Sequence, residues 1–209
     1  MTLGKSNTLV IACGALAKEI TVLTTQLDTF VELVCLPAGF HNHPEKIVPG
    51  LEAVLRDKAQ LYERVLIGYG DCGTGGQIDK LISSYPNVTR LPGAHCYAFY
   101  SGLNRFDEMV EEEIGTFFLT DYLVRQFDTI IMKGMGLDRH PEWIKIYFKN
   151  YKKLVYISQT KDSSLIAKSK EAALRLGLSY ENRHVGYGAL AVAMSLFGES
   201  NIPIVSSNV

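Results

Sequence analysis

No stretch of this sequence approaches the roughly 20 consecutive apolar residues that cross a bilayer, so no membrane span is expected. Charge of one sign is also missing. A formal net charge of −1 leaves no basic field to attract nucleic acid or an anionic lipid surface. The opening "MTLGKSNTLVIACGALAKEI" has only a short apolar run before Lys18 and Glu19, and reads as a first strand and helix rather than as a secretory signal. Cysteine is scarce, with four in 209 residues. Without an export signal these read as reduced thiols or metal ligands rather than disulfides, in a cytoplasmic protein. Several familiar signatures are absent too: no Cys-x-x-Cys pair, no Gly-Lys-Ser/Thr phosphate loop and no Gly-x-Gly-x-x-Gly dinucleotide turn. No low-complexity or linker-like segment interrupts the chain, so one domain spanning 1–209 is expected.

Short β-branched runs alternate with amphipathic stretches. Strands are predicted at 8–12, 30–36, 64–69, 88–91, 129–133, 154–158 and 178–183, with helices at 15–25, 45–59, 76–85, 141–151 and 163–176. Strand followed by helix, repeated this often, predicts a doubly wound α/β fold, a mostly parallel sheet with helices on both faces. The stretch 93–127 breaks the rhythm and reads as a helical insertion. It contains "GTFFLTDYLVRQF", where Thr116, Thr120, Asp121 and Arg125 suit a capped, half-buried helix.

An internal echo is visible. "VCLPAGFHNHPEKI" (34–47) and "IMKGMGLDRHPEWI" (131–144) align without gaps, each running from a predicted strand through a glycine to His-Pro-Glu and a helix. A duplicated βαβ unit would explain it. His43 and His140 stand at N-cap positions with proline at the first helical position. A helix N-terminus there would favour a neutral imidazole.

The chemistry-bearing residues fall where predicted strands end, the side on which open parallel sheets bind ligands. Cys13 closes the first strand in "IACGAL", Cys72 follows the third in "YGDCGTGG", and His95-Cys96 follow the fourth in "PGAHCY". Separations of 59 and 24 positions match no compact metal motif, yet three thiols on three strand-to-helix turns could meet at one point. Three thiolates suit an iron–sulfur cluster with one iron left open, or zinc completed by a histidine such as His95 or His41. Asp71 beside Cys72 could move protons, and Gly73, Gly75 and Gly76 could bring backbone amides close to a bound cofactor. The loop "GLDRHPE" offers Asp138, Arg139 and His140 for catalysis or for holding a small anionic substrate. Cys35, inside "VELVCLPAG", reads as a buried core thiol. Two other uses fit the same residues. One is a metal-free cysteine nucleophile at a helix start; the other is a carrier that holds metal or cofactor cargo transiently.

Taken together, "IACGALAKEI", "LPAGFHNHPEKI", "YGDCGTGGQID", "PGAHCYAFYSG", "GTFFLTDYLVRQF", "GLDRHPE" and "YISQTKD" resemble the bacterial and archaeal family catalogued as domain of unknown function 1638. The resemblance runs from about Leu9 to Ala191 and includes Cys13, His41, Asp71, Cys72, His95, Cys96, Asp121, Asp138, Arg139 and His140. It implies no assigned reaction. What it does imply is a setting, since some family members accompany corrinoid-dependent methyl-transfer systems in methanogens and other bacteria, and corrinoid methyltransferase components are candidate partners on that basis. The expectation is a metal-binding α/β protein acting on a small polar metabolite or carrying metal cargo.

Overall fold

The computed structural model describes residues 8–27 and 30–198, so the tail "NIPIVSSNV" lies outside the described residues. The chain forms two compact units, one built from the described residues up to Cys96 and from Ala189 onward, the other from Tyr97–Gly188. Among the described residues no helix is long and apolar enough to cross a membrane.

The first unit runs β1 (Thr8–Cys13), α1 (Ala17–Thr24), β2 (Val31–Leu36), α2 (Ile47–Lys58), β3 (Arg64–Gly68), α3 (Gln77–Ile82) and β4 (Val88–Arg90). Its strands are all parallel, in the order β2-β1-β3-β4. Leu9, Ile11, Val65 and Ile67 from the central strands pack with Ile47, Leu51 and Leu55 of α2, all at most 1% exposed. Each such side chain contributes roughly 1.5–3 kcal/mol on burial. The chain steps outward from β1 to β2, then recrosses β1 to place β3 on its other side. Strand order therefore reverses between β1 and β3, which opens a crevice at the carboxyl ends of those two strands.

The second unit runs α4 (Tyr97–Ser101), α5 (Leu103–Glu112), β5 (Thr116–Thr120), α6 (Asp121–Arg125), α7 (Ile144–Tyr147), β6 (Lys153–Ser158), α8 (Ser163–Leu176) and β7 (Ser179–His184). Its sheet is parallel in the order β5-β6-β7, a simple progression with no reversal. Helix α8 occupies the predicted 163–176, because both of its ends are written into the sequence. Asp162 caps it by accepting from Ser164 N at 2.8 Å, and Gly177 ends it in the left-handed region at φ 72°. The last helix among the described residues, α9 (Gly188–Gly198), belongs to the first unit from Ala189 onward and carries no charged residue.

Two sequence expectations are corrected here. Residues 129–133, predicted as a strand, lie within a π-helical segment, Phe127–Lys133. Ile130, Ile131 and Met132 are buried, and a short apolar run reads equally as buried strand or buried helix. Conversely, the stretch 93–127 holds helix α5 but also β5, the first strand of the second sheet; Asp121 begins the helix after it. The echo between 34–47 and 131–144 thus extends over the His-Pro-Glu turn and its helix, not over a whole βαβ unit. The turn itself repeats closely: His43 has φ, ψ of −140°, 65° and His140 of −130°, 71°, each followed by proline at the start of a 3-10 turn. Both histidines take the expected N-cap position, with proline after them, but neither side chain makes a capping hydrogen bond. Their Nδ1 atoms instead face Glu45 at 3.3 Å and Glu142 at 3.2 Å.

Candidate functional site

Cys13 is the last residue of β1, and Tyr69 and Cys72 lie just beyond β3, so the reversal between these strands brings them to one edge of the sheet. The turn after β4 is joined to the turn after β3 by backbone hydrogen bonds. Asp71 N donates to Gly93 O at 2.9 Å, and Cys72 N donates to Ala94 O at 2.8 Å. That pairing carries Cys96 toward Cys72, and the Cys96 backbone N–H helps to hold the Cys72 pKa down. Gly70 makes the approach possible. A Cβ there would stand 2.8 Å from Gly93 O and 3.1 Å from His95 N. Gly70→Ala should force the two turns apart at a cost of about 1–3 kcal/mol, measurable by denaturant unfolding, and should separate the two thiols it brings together. An unchanged midpoint would show that the turns can give way freely.

The turn from 71 to 76 answers why a thiol sits among glycines. Cys72, Gly73, Gly75 and Gly76 all have positive φ, at 49°, 81°, 63° and 79°. Glycine adopts that region freely, whereas Cys72 does so against its Cβ. A non-glycine residue held there is strain of the kind that collects at functional sites. Asp71 anchors the turn. Its Oδ2 accepts from Gly75 N at 3.0 Å, and its Oδ1 accepts from Gly76 N at 2.6 Å and from Thr74 Oγ1 at 3.1 Å. The Gly76 and Gly75 amides and the Thr74 hydroxyl, with Arg90 nearby, hold its pKa below the usual carboxylate value against the opposing effect of burial. The glycine amides expected to face a cofactor at 75 and 76 are thus used by Asp71, and Asp71 stays ionised as an acceptor.

All four cysteines are free thiols, and Cys13, Cys72 and Cys96 are half-buried. Burial, and then the neighbouring Cys13, push Cys72 up to about 11. Burial also raises Cys96 well above its ordinary value, followed by the effects of Cys72 and Cys13. Cys13 is raised by burial, partly offset by the Ala15 N–H and by Tyr69. Burial thus disfavours ionisation of all three, Cys13 adds to the effect at Cys72 and Cys96, and Cys72 adds to it at Cys96. Backbone N–H groups of Gly70 and Cys96 aim at the Cys72 sulfur and partly counter this.

Cys35 departs from expectation. It is exposed rather than buried, because β2 is the edge of the sheet and its residues are largely uncovered. It pairs with Ala12 across the sheet, one position from Cys13, and after burial the Cys13 thiol is what raises its pKa. His41 and His95 are both open to solvent. Crowding of the His41 ring, then His95, lowers the His41 pKa and favours its neutral form.

Arg139 and His140 belong to the second unit. Asp138 and Arg139 are exposed, and the His140 ring stacks on Trp143 with centroids 4.2 Å apart. Two groups in the first unit escaped the sequence reading. Tyr69 continues the apolar run of β3 and so looked like core. Arg90 sits at the end of β4, where its paired contacts with Asp79 (2.5 and 2.8 Å) and its donation to Leu91 O hold the β4 turn against α3. The second unit has its own polar edge, centred on the fully buried Asp121 and closed by internal hydrogen bonds.

Among the described residues, no group of three or more His, Cys, Asp and Glu side chains is arranged to hold a metal ion. No curated protein and no solved structure matches the chain. A family model described as protein of unknown function (DUF1638) matches residues 35–194, which include Cys72, Cys96 and the whole second unit, and the chain belongs to that family.

Proposed function

We propose that the first unit is a metal-binding module whose centre is held by Cys13, Cys72 and Cys96, and that its metal is an iron–sulfur cluster. What supports this reading is that three thiols come from the turns after β1, β3 and β4, at the carboxyl ends of strands in one parallel sheet whose order reverses between β1 and β3. The donor set fits such a group. Cysteine sulfurs are its ligands, and N–H groups aimed at sulfur, as from Gly70 and Cys96 toward Cys72, are among the contacts that tune it. A single tetrahedral zinc with Zn–S near 2.3 Å would draw its thiolates to about 3.8 Å from one another. Among the described residues no set of three such side chains stands ready to hold an ion, so this reading requires the turns to close around the metal. When bound, such a group would supply a Lewis acid for a small polar metabolite. Asp71 then serves as the anchor of the cysteine turn, and proton handling beside the centre falls to His41 and His95. A metal-free nucleophile is disfavoured, because buried and mutually raised thiols are poorly ionised at neutral pH.

A second reading, a metal carrier, is favoured by exposed Cys35 one register step from Cys13, which offers an entry thiol at the sheet edge. Protein purified without oxygen should contain iron and sulfide near one site per chain and absorb in the visible. Retention through gel filtration with chelator supports a resident cofactor, while rapid loss to chelator supports a carrier. Protein that takes up neither iron and sulfide nor zinc, with all four thiols freely alkylated, would refute both.

A further inference from the structure

We propose that Cys72 and Cys96 are a disulfide-forming pair, so that an oxidant closes a bond between the turns after β3 and β4. All four cysteines of the chain stand as free thiols in this structure. The pairing concerns two sulfurs and no ion, and so holds with or without the metal centre proposed above.

The backbone brings the two residues together. Asp71 N donates to Gly93 O at 2.9 Å and Cys72 N donates to Ala94 O at 2.8 Å, which sets two stretches of chain side by side just before Cys96. Hydrogen-bonded backbones stand about 4.8 Å apart, inside the roughly 4.4–6.8 Å that a disulfide spans between Cα atoms. Gly70 permits this approach, since a Cβ there would meet Gly93 O at 2.8 Å. The Cys96 backbone N–H also acts on the Cys72 thiol, and Cys72 is the first neighbour, after burial, to act on Cys96. Other pairings are less well placed. Cys13 pairs with Leu36 and Cys35 with Ala12, so Cys13 and Cys35 point to opposite faces of the sheet. Ala12 pairs with Gly68, which leaves Cys72 well past the position opposite Cys13.

Hydrogen peroxide supplies the oxidising equivalents. Its O–O bond breaks at one sulfur, which takes one oxygen as a sulfenic acid while the other leaves as water. The second thiol attacks that sulfur, the S–S bond forms, and the sulfenic hydroxyl departs with the thiol proton as a second water. Burial raises both thiols and slows the first step without changing which sulfurs meet. For the proposed metal centre, the bond withdraws two of its three ligands.

The test treats the protein, stripped of metal by a chelator, with hydrogen peroxide. Thiol titration, intact mass and peptide mapping without reductant read the result. Expected are the loss of two of the four thiols, a mass lower by two hydrogens, and a Cys72–Cys96 cross-link within one chain that dithiothreitol reverses. Cys96→Ser should abolish the cross-link, and Cys35→Ser should leave it intact. A bridge from Cys72 to Cys13, thiols that gain oxygen without bridging, or four unreacted thiols in the wild-type protein would each overturn the proposal. None of these results touches the metal centre, whose iron and sulfide are measured on the reduced protein.

Discussion

Replacing Asp121 with alanine should cost the second unit about 3–5 kcal/mol, the range expected when one member of a buried, charge-assisted network is deleted. The side chain is fully buried. Its Oδ1 accepts from Tyr156 Oη at 2.6 Å and Gln159 N at 2.9 Å, and its Oδ2 accepts from Thr160 N at 3.1 Å and Thr160 Oγ1 at 2.5 Å. Arg125 lies 3.4 Å away, and the Asp121 N–H is itself taken by Gln159 Oε1 at 2.7 Å. The carboxylate thus ties the end of β5 to the turn after β6, and its removal strands four donors at a largely buried edge. Denaturant unfolding followed by fluorescence of Trp143, the only tryptophan in the chain, reports on this unit. Asp121→Asn preserves the volume and one acceptor, and should lose distinctly less. A loss under about 1 kcal/mol for the alanine variant would mean that the network is not what closes this edge.

Cys72→Gly should abolish metal uptake and leave the protein as stable as before, or more so by about 1 kcal/mol. Deleting a half-buried side chain ordinarily destabilises. Here the residue holds φ at 49° inside a turn whose other left-handed positions are glycine, so glycine relieves strain that the thiol imposes. Stability retained while iron and sulfide content falls to background would mark Cys72 as kept for its chemistry. Iron and sulfide uptake equal to wild type would remove Cys72 from the centre. A loss of several kcal/mol would show that the side chain is there for packing. Cys72→Ala is the useful control, since alanine loses the sulfur but keeps the strained Cβ.

Much of the architecture was legible because local signals and tertiary needs agree. Residues 163–176 form a helix bounded by its own Asp162 cap and Gly177 stop, and the short apolar runs at 8–12, 64–69 and 154–158 are strands buried on both faces. Two misassigned elements share one cause. "FDTIIMK" and "TFFLT" are short apolar segments whose periodicity does not separate strand from buried helix, so packing decided, giving a π-helical segment to the first and a strand to the second. Cys35 was misplaced because an apolar neighbourhood in sequence says nothing about which strand forms the sheet edge.

From the order of residues alone came the alternation of strands and helices, the neutral and unbasic surface chemistry, and the placing of three cysteines at strand ends. Those properties depend on composition and on neighbours a few positions apart. The tertiary fold decided the rest: a reversal of strand order between β1 and β3 but none among β5, β6 and β7, an aspartate sealed at one sheet edge, and thiols left able to sense one another at the other. Whether Tyr69 faces solvent, core or sulfur is likewise a matter of contacts between residues dozens of positions apart, and no local pattern encodes those.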